Sequence, residues 1–88
     1  MVMVNHRYTV RYRCNDGHRA PALIVEDEQG TAYLYRGGRL RGWLRGRNAS
    51  GRLARVLQRR AVCTRVPEVP PYTLEGLRRL TGEVESRE

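Results

Sequence analysis

The N-terminal part of the chain is governed by an alternation of period two. Val2, Val4, His6, Tyr8, Val10, Tyr12 and Cys14 fall on one side, and Met3, Asn5, Arg7, Thr9, Arg11 and Arg13 on the other. Successive side chains of a pleated strand point to opposite faces, so this spacing predicts a half-buried strand with a basic, solvent-facing side. A sheet is therefore the first commitment of the fold.

The punctuation that follows supplies further strands. Asn15-Asp16-Gly17 is a turn signal that ends the first strand. Residues 23–25, Leu-Ile-Val, read as a second strand, with Pro21 marking either its first position or a sheet edge. Asp27-Glu28-Gln29-Gly30 makes a hairpin loop, and residues 31–35 return as a third strand antiparallel to the second. Gly37-Gly38 is another tight turn. Beyond it, Leu40, Trp43 and Leu44 have the spacing of one helical turn; a fourth strand over residues 39–44 fits the preceding Gly-Gly turn almost as well and is the preferred reading. Gly42 weakens both readings.

Helix signals appear only in the second half. Asn48 or Ser50 can cap a helix over residues 51–60, with an apolar stripe of Leu53, Val56 and Leu57 opposite Arg52, Arg55 and Arg59. Residues 61–66 alternate weakly and read as a final strand. Pro67, Pro70 and Pro71 make a stiff connector that excludes helix. Thr73 serves as the N-cap of a last helix with Glu75 in its first turn; Leu74, Leu77 and Leu80 line one side, and Gly82 ends it. The expectation is one small α+β domain over residues 1–82 with a polar tail at 83–88. It comprises an antiparallel meander of three or four strands, a basic helix, a short strand and a C-terminal helix. Both helices are expected to cover one side of the sheet, leaving Arg7, Arg11 and Arg13 on the other.

Charge is distributed very unevenly. Residues 29–67 carry ten arginines and no Asp or Glu, whereas residues 1–28 are net neutral and residues 68–88 are net −2, for a total of +8. Guanidinium groups without carboxylates nearby in sequence repel one another, so an external polyanion is the natural partner. All 17 basic residues are Arg. A planar five-donor fork suits bidentate phosphate or carboxylate recognition. Codon bias also explains the choice of Arg over Lys, though not the clustering.

The main candidate surface is the run Arg36, Arg39, Arg41, Arg45, Arg47 and Arg52, interleaved with glycines and with Tyr35 and Trp43. Glycine lets a backbone approach a phosphate, Arg neutralises it, and an aromatic ring can stack on a base. Trp43 is read first as a core anchor, with base stacking as the alternative; Tyr33 and Tyr35 share a strand face and are expected to pack over the core. The second candidate is the basic helix carrying Arg52, Arg55, Arg59 and Arg60, which has no i+4 glutamate partners. Arg7, Arg11 and Arg13 would form a third patch.

Catalytic constellations are weak by comparison. Cys14, His18, His6 and Cys63 do not have a zinc spacing, so no metal or cofactor is expected. His6 is read as a hydrogen-bonded histidine on the apolar strand face, and His18 as an exposed loop residue. The consecutive acids Glu26, Asp27 and Glu28 read as a solvated hairpin tip. The two cysteines match no disulfide framework, no secretory leader is evident, and no stretch is long enough to span a membrane, so the expected location is cytoplasmic. The chain is read as a non-enzymatic nucleic-acid binder, with RNA or a ribonucleoprotein favoured over duplex DNA. The alternatives are an adaptor or inhibitory subunit docking on an acidic protein surface and, among enzymes, a small metal-independent ribonuclease. A homodimer through an edge strand containing Pro21 is compatible with the same pattern.

Overall fold

The computed structural model describes residues 6–15, 17 and 21–82. The alternation expected over residues 2–5, Asp16 of the first turn, His18 and the tail at 83–88 lie outside these residues. The chain forms β1 (Thr9–Asn15), β2 (Ala22–Glu26), β3 (Ala32–Arg36), β4 (Arg39–Leu44), α1 (Ala49–Leu57), β5 (Val62–Arg65) and α2 (Leu74–Thr81). This is the α+β order read from the sequence, with a four-stranded meander, a basic helix, a short strand and a terminal helix.

All five strands join one antiparallel sheet in the order β4-β3-β2-β1-β5. The meander places β4 at one edge, and α1 carries the chain across the sheet to place β5 at the other. β2 is the central strand, so Pro21 precedes a strand's first position and marks no edge at which a second copy could pair.

The helices cover opposite faces, which corrects the expectation that both lie on one side. Tyr8, Val10, Leu23, Val25, Tyr35 and Leu77 form one cluster under α2 and the proline connector. Cys14, Ala22, Ile24, Ala32, Ala49 and Ala54 form the other under α1. The switch occurs at a β-bulge. Val10 pairs with Val25 but Tyr12 pairs with Ile24, which leaves Arg11 as the extra residue. One inserted residue reverses the facing of everything after it. Tyr12 and Cys14 therefore face α1, and Arg13, opposite Leu23, faces the α2 side.

The two faces differ in grain. Alanines and Cys14 line the α1 side, and α1 brings Cα atoms within 8 Å of all five strands, whereas α2 brings none within 8 Å of any strand. Tyrosines and leucines hold α2 away from the sheet. Side chains tie α2 down across this gap. The Tyr35 and Thr81 hydroxyls are 2.9 Å apart, and Arg78 Nε donates to the Gly38 carbonyl at 2.9 Å. α2 begins and ends as its sequence implies. Thr73 Oγ1 accepts from the Gly76 amide at 3.0 Å, and Gly82 closes the helix at φ 76°.

α1 departs from expectation in phase. It starts two residues earlier, with Asn48 in a left-handed conformation and no side-chain capping bond. Ser50 is not a cap; inside the helix, its hydroxyl donates to Glu26 Oε1 at 3.2 Å. Ala49, Leu53, Ala54 and Leu57 meet the sheet, and Val56 is 60% exposed. Leu80 of α2 is also outward, at 54%.

Cys14 and Cys63 are joined by a disulfide, although their spacing in the sequence matches no disulfide framework. They lie 49 residues apart in the chain, but the α1 crossover returns β5 antiparallel to β1 with these two residues directly opposed.

Candidate nucleic-acid interface

The acid-free segment folds into consecutive elements: β3, the edge strand β4, the β4–α1 loop, α1, its following turn, and β5. Arg39, Arg41, Arg45, Arg47, Arg52, Arg55 and Arg59 are all exposed, while Arg36 is half-buried. In β4, Arg41 opposes Leu34, whose side chain joins the cluster under α1, so Arg39 and Arg41 project toward the α1 side of the edge. Arg36 and Arg39 are direct cross-strand partners, and like charges at such positions repel.

These arginines fall into two groups. Arg52 is used internally: its Nη2 donates to the Arg45 carbonyl at 2.9 Å and its Nε to the Arg47 carbonyl at 3.2 Å, bracing the β4–α1 loop. Arg45 Nε reaches Thr31 Oγ1 at 3.4 Å, and its guanidinium lies over the Trp43 ring, 5.3 Å from the centroid. By contrast, the guanidinium groups of Arg39, Arg41, Arg47, Arg55 and Arg59 have no carboxylate or hydrogen-bond partner among the described residues. They are the available phosphate ligands.

Trp43 is not the core anchor expected from sequence. It is 63% exposed at the outer edge of the sheet, on the α2-facing side. The cause is a second bulge. Trp43 opposes Tyr33 while Arg41 opposes Leu34, which leaves Gly42 as the extra residue at φ 56°. Tyr33 and Tyr35 do share a face and pack there as read, with Tyr33 edge-on to Tyr8 at 5.9 Å. Burial raises the Tyr33 hydroxyl pKa above its ordinary value, and Asp27, which accepts its hydrogen bond at 3.2 Å, raises it further.

The N-terminal basic residues do not merge into a patch. Arg11 Nε pairs with Glu26 Oε1 at 2.7 Å, and Arg13, though exposed like Arg7, is turned to the other face by the β1 bulge. His6 is exposed beside Glu28, at 3.7 Å, and is not a core histidine. The acids of the β2–β3 turn have local work: Asp27 Oδ1 accepts from the Gln29 and Thr31 amides, each at 2.9 Å. Arg65 is a further candidate that the sequence pattern does not single out. Arg65 opposes Tyr12 on β5 and lines a shallow depression of about 280 Å³ with Asn48, Ser50 and Gly51 at the start of α1. Its membership of the acid-free segment was the available signal.

No known protein family, curated protein or solved structure matches the chain. No helix among the described residues is long and apolar enough to cross a membrane.

Proposed function

We propose that this protein is a non-enzymatic RNA-binding module that holds single-stranded RNA, free or within a ribonucleoprotein, along the β4 edge and the outer face of α1. The observation that carries this reading is the group of five exposed arginines, Arg39, Arg41, Arg47, Arg55 and Arg59, with no carboxylate partner among the described residues. Counterion release on phosphate binding supplies the affinity. Trp43, open to solvent at the strand edge, offers a stacking surface for an unpaired base, with Arg45 on its ring. Single strands are favoured over duplex DNA because α1 lies flat across the sheet and does not project as a groove-reading helix.

The same exposed tryptophan beside arginines favours one alternative, docking on an acidic protein surface, because Trp and Arg dominate interface hot spots. A cytoplasmic location belongs to the RNA reading.

The test is anisotropy titration of a short labelled single-stranded RNA across a salt series, with wild type and the R39S/R41S/R47S/R55S variant. None of these four arginines braces the fold, so the variant keeps its structure. RNA binding predicts that the slope of log K against log salt falls by about 3, near 0.7 per lost phosphate contact. An unchanged slope and affinity sink the proposal. A single nuclease-resistant protein partner recovered from lysate, with no salt-dependent RNA binding, selects the adaptor reading.

A further inference from the structure

Behind the basic surface, on the α2 side of the sheet, the chain leaves a groove of about 480 Å³. Val10 and Leu23 form its floor, Val66 and Val69 of the proline connector one wall, and Leu80 of α2 the other. The groove follows from the packing already described: large side chains hold α2 off the sheet, and Leu80, outside the core, stands at its margin. Its volume is that of a small-molecule site.

Among the described residues, one charge lines this groove. Arg13 lines it, placed on this face by the bulge at Arg11. Without that inserted residue Arg13 would face α1. The Arg13 side chain has no ion pair or hydrogen bond among the described residues, unlike that of Arg11 two positions earlier. It is also the shared wall between the apolar groove and a second, smaller depression of about 270 Å³, lined by Asn15, Val62 and Thr64. Asn15 and Thr64 bring an amide and a hydroxyl to that side. An apolar trough therefore continues, across a single guanidinium, into a polar recess.

We propose that this groove binds a soluble amphipathic monocarboxylate with an unbranched alkyl chain. The tail lies between Leu23, Val69 and Leu80, and the carboxylate takes the Arg13 fork, with Thr64 in reach of the head group. A lone guanidinium matches one planar carboxylate bidentately. The apolar walls exclude ligands that are charged along their length. The site is separate from the RNA surface, so its test is independent of that reading.

Sodium decanoate, below its micelle concentration, is titrated into the oxidised full-length protein. Binding is followed by calorimetry and by methyl-resolved NMR, with decanol as the uncharged control. Saturable shifts are expected at the Val10, Leu23, Val66, Val69 and Leu80 methyls, with the Trp43 indole unmoved. Decanol should bind more weakly by about tenfold, the loss expected for one hydrogen bond to a charged group. Arg13→Gln should weaken decanoate by a similar factor and leave decanol unchanged; Arg13→Lys should restore part of the difference. Val69→Trp should fill the groove and abolish both. Equal affinities for decanoate and decanol overturn the proposal, as does an Arg13→Gln variant that binds decanoate like wild type. Arg13-dependent co-sedimentation with vesicles of phosphatidylcholine and phosphatidylglycerol, without decanoate binding, overturns it in favour of a lipid surface.

Discussion

Trp43 and Tyr33 are cross-strand neighbours on one face, yet they obey different physics. Trp43 leaves most of its ring in water, so Trp43→Ala should change stability by no more than about 0.5 kcal/mol. If the ring stacks on a base, the same change should weaken RNA binding by about 1–3 kcal/mol. Paired urea melts and anisotropy titrations separate the two; a large stability loss with unchanged binding would return Trp43 to a structural role. Tyr33 and Tyr8 belong to the fold. Burial raises both hydroxyl pKa values, and Asp27 adds to the effect. Since the folded values lie above the unfolded ones, the unfolded chain loses its tyrosyl protons first as pH rises. The stabilisation is whole below about pH 10 and is lost as pH climbs through and above it. Urea midpoints should hold near neutrality and fall toward about pH 11, with Tyr33→Phe falling less steeply than wild type. Equal slopes would remove Tyr33 from this account. Sequence could not place Trp43 because the spacing Leu40, Trp43, Leu44 carries no sign of the residue inserted at Gly42.

At the scale of elements, bulges decide what the sequence could and could not convey. Strand existence was legible: each turn signal from Asn15 to Gly38 separates apolar runs, and Thr73 and Gly82 bound α2 where the structure puts its caps. Facing was not. Val10, Tyr12 and Cys14 keep their two-residue spacing through the β1 bulge, although the face they point to changes between Val10 and Tyr12. In a sheet covered on both sides, either face accepts an apolar side chain, so the pattern cannot register the switch. The same argument explains Arg11 and Arg13, which read as one basic face and serve opposite ones. In β4 the device depends on Gly42, whose left-handed backbone costs a non-glycine residue about 1–2 kcal/mol. No atom crowds a Cβ at that position, so Gly42→Ala should lose this conformational amount and no more. A urea melt checks the stability. Retained RNA affinity in a less stable protein would separate the strand's geometry from its charge.

For the molecule as a whole, the Cys14–Cys63 bond decides how firmly its far edge is held. β5 pairs only with β1 in the sheet, and Val62, Thr64 and Arg65 are exposed, so it contributes little buried apolar surface. The disulfide encloses β2, β3, β4 and α1 in one covalent loop with a sequence separation of 49. On the loop-entropy account, closing a loop of that length stabilises the fold by about 4 kcal/mol. A domain of this size has roughly 5–15 kcal/mol in all, so the reduced chain should stay folded with a much narrower margin. The double variant Cys14→Ser/Cys63→Ser, or wild type in dithiothreitol, should show a lower urea midpoint, reflecting that loss of unfolding free energy. Arg39, Arg41, Arg47, Arg55 and Arg59 stand on β4, the β4–α1 loop, α1 and the turn after it, outside β5, so RNA affinity and its salt slope should survive reduction while the protein remains folded. A midpoint unchanged by reduction would mean that backbone pairing alone holds β5. Affinity lost while the fold persists would instead place β5, through Arg65, inside the RNA surface.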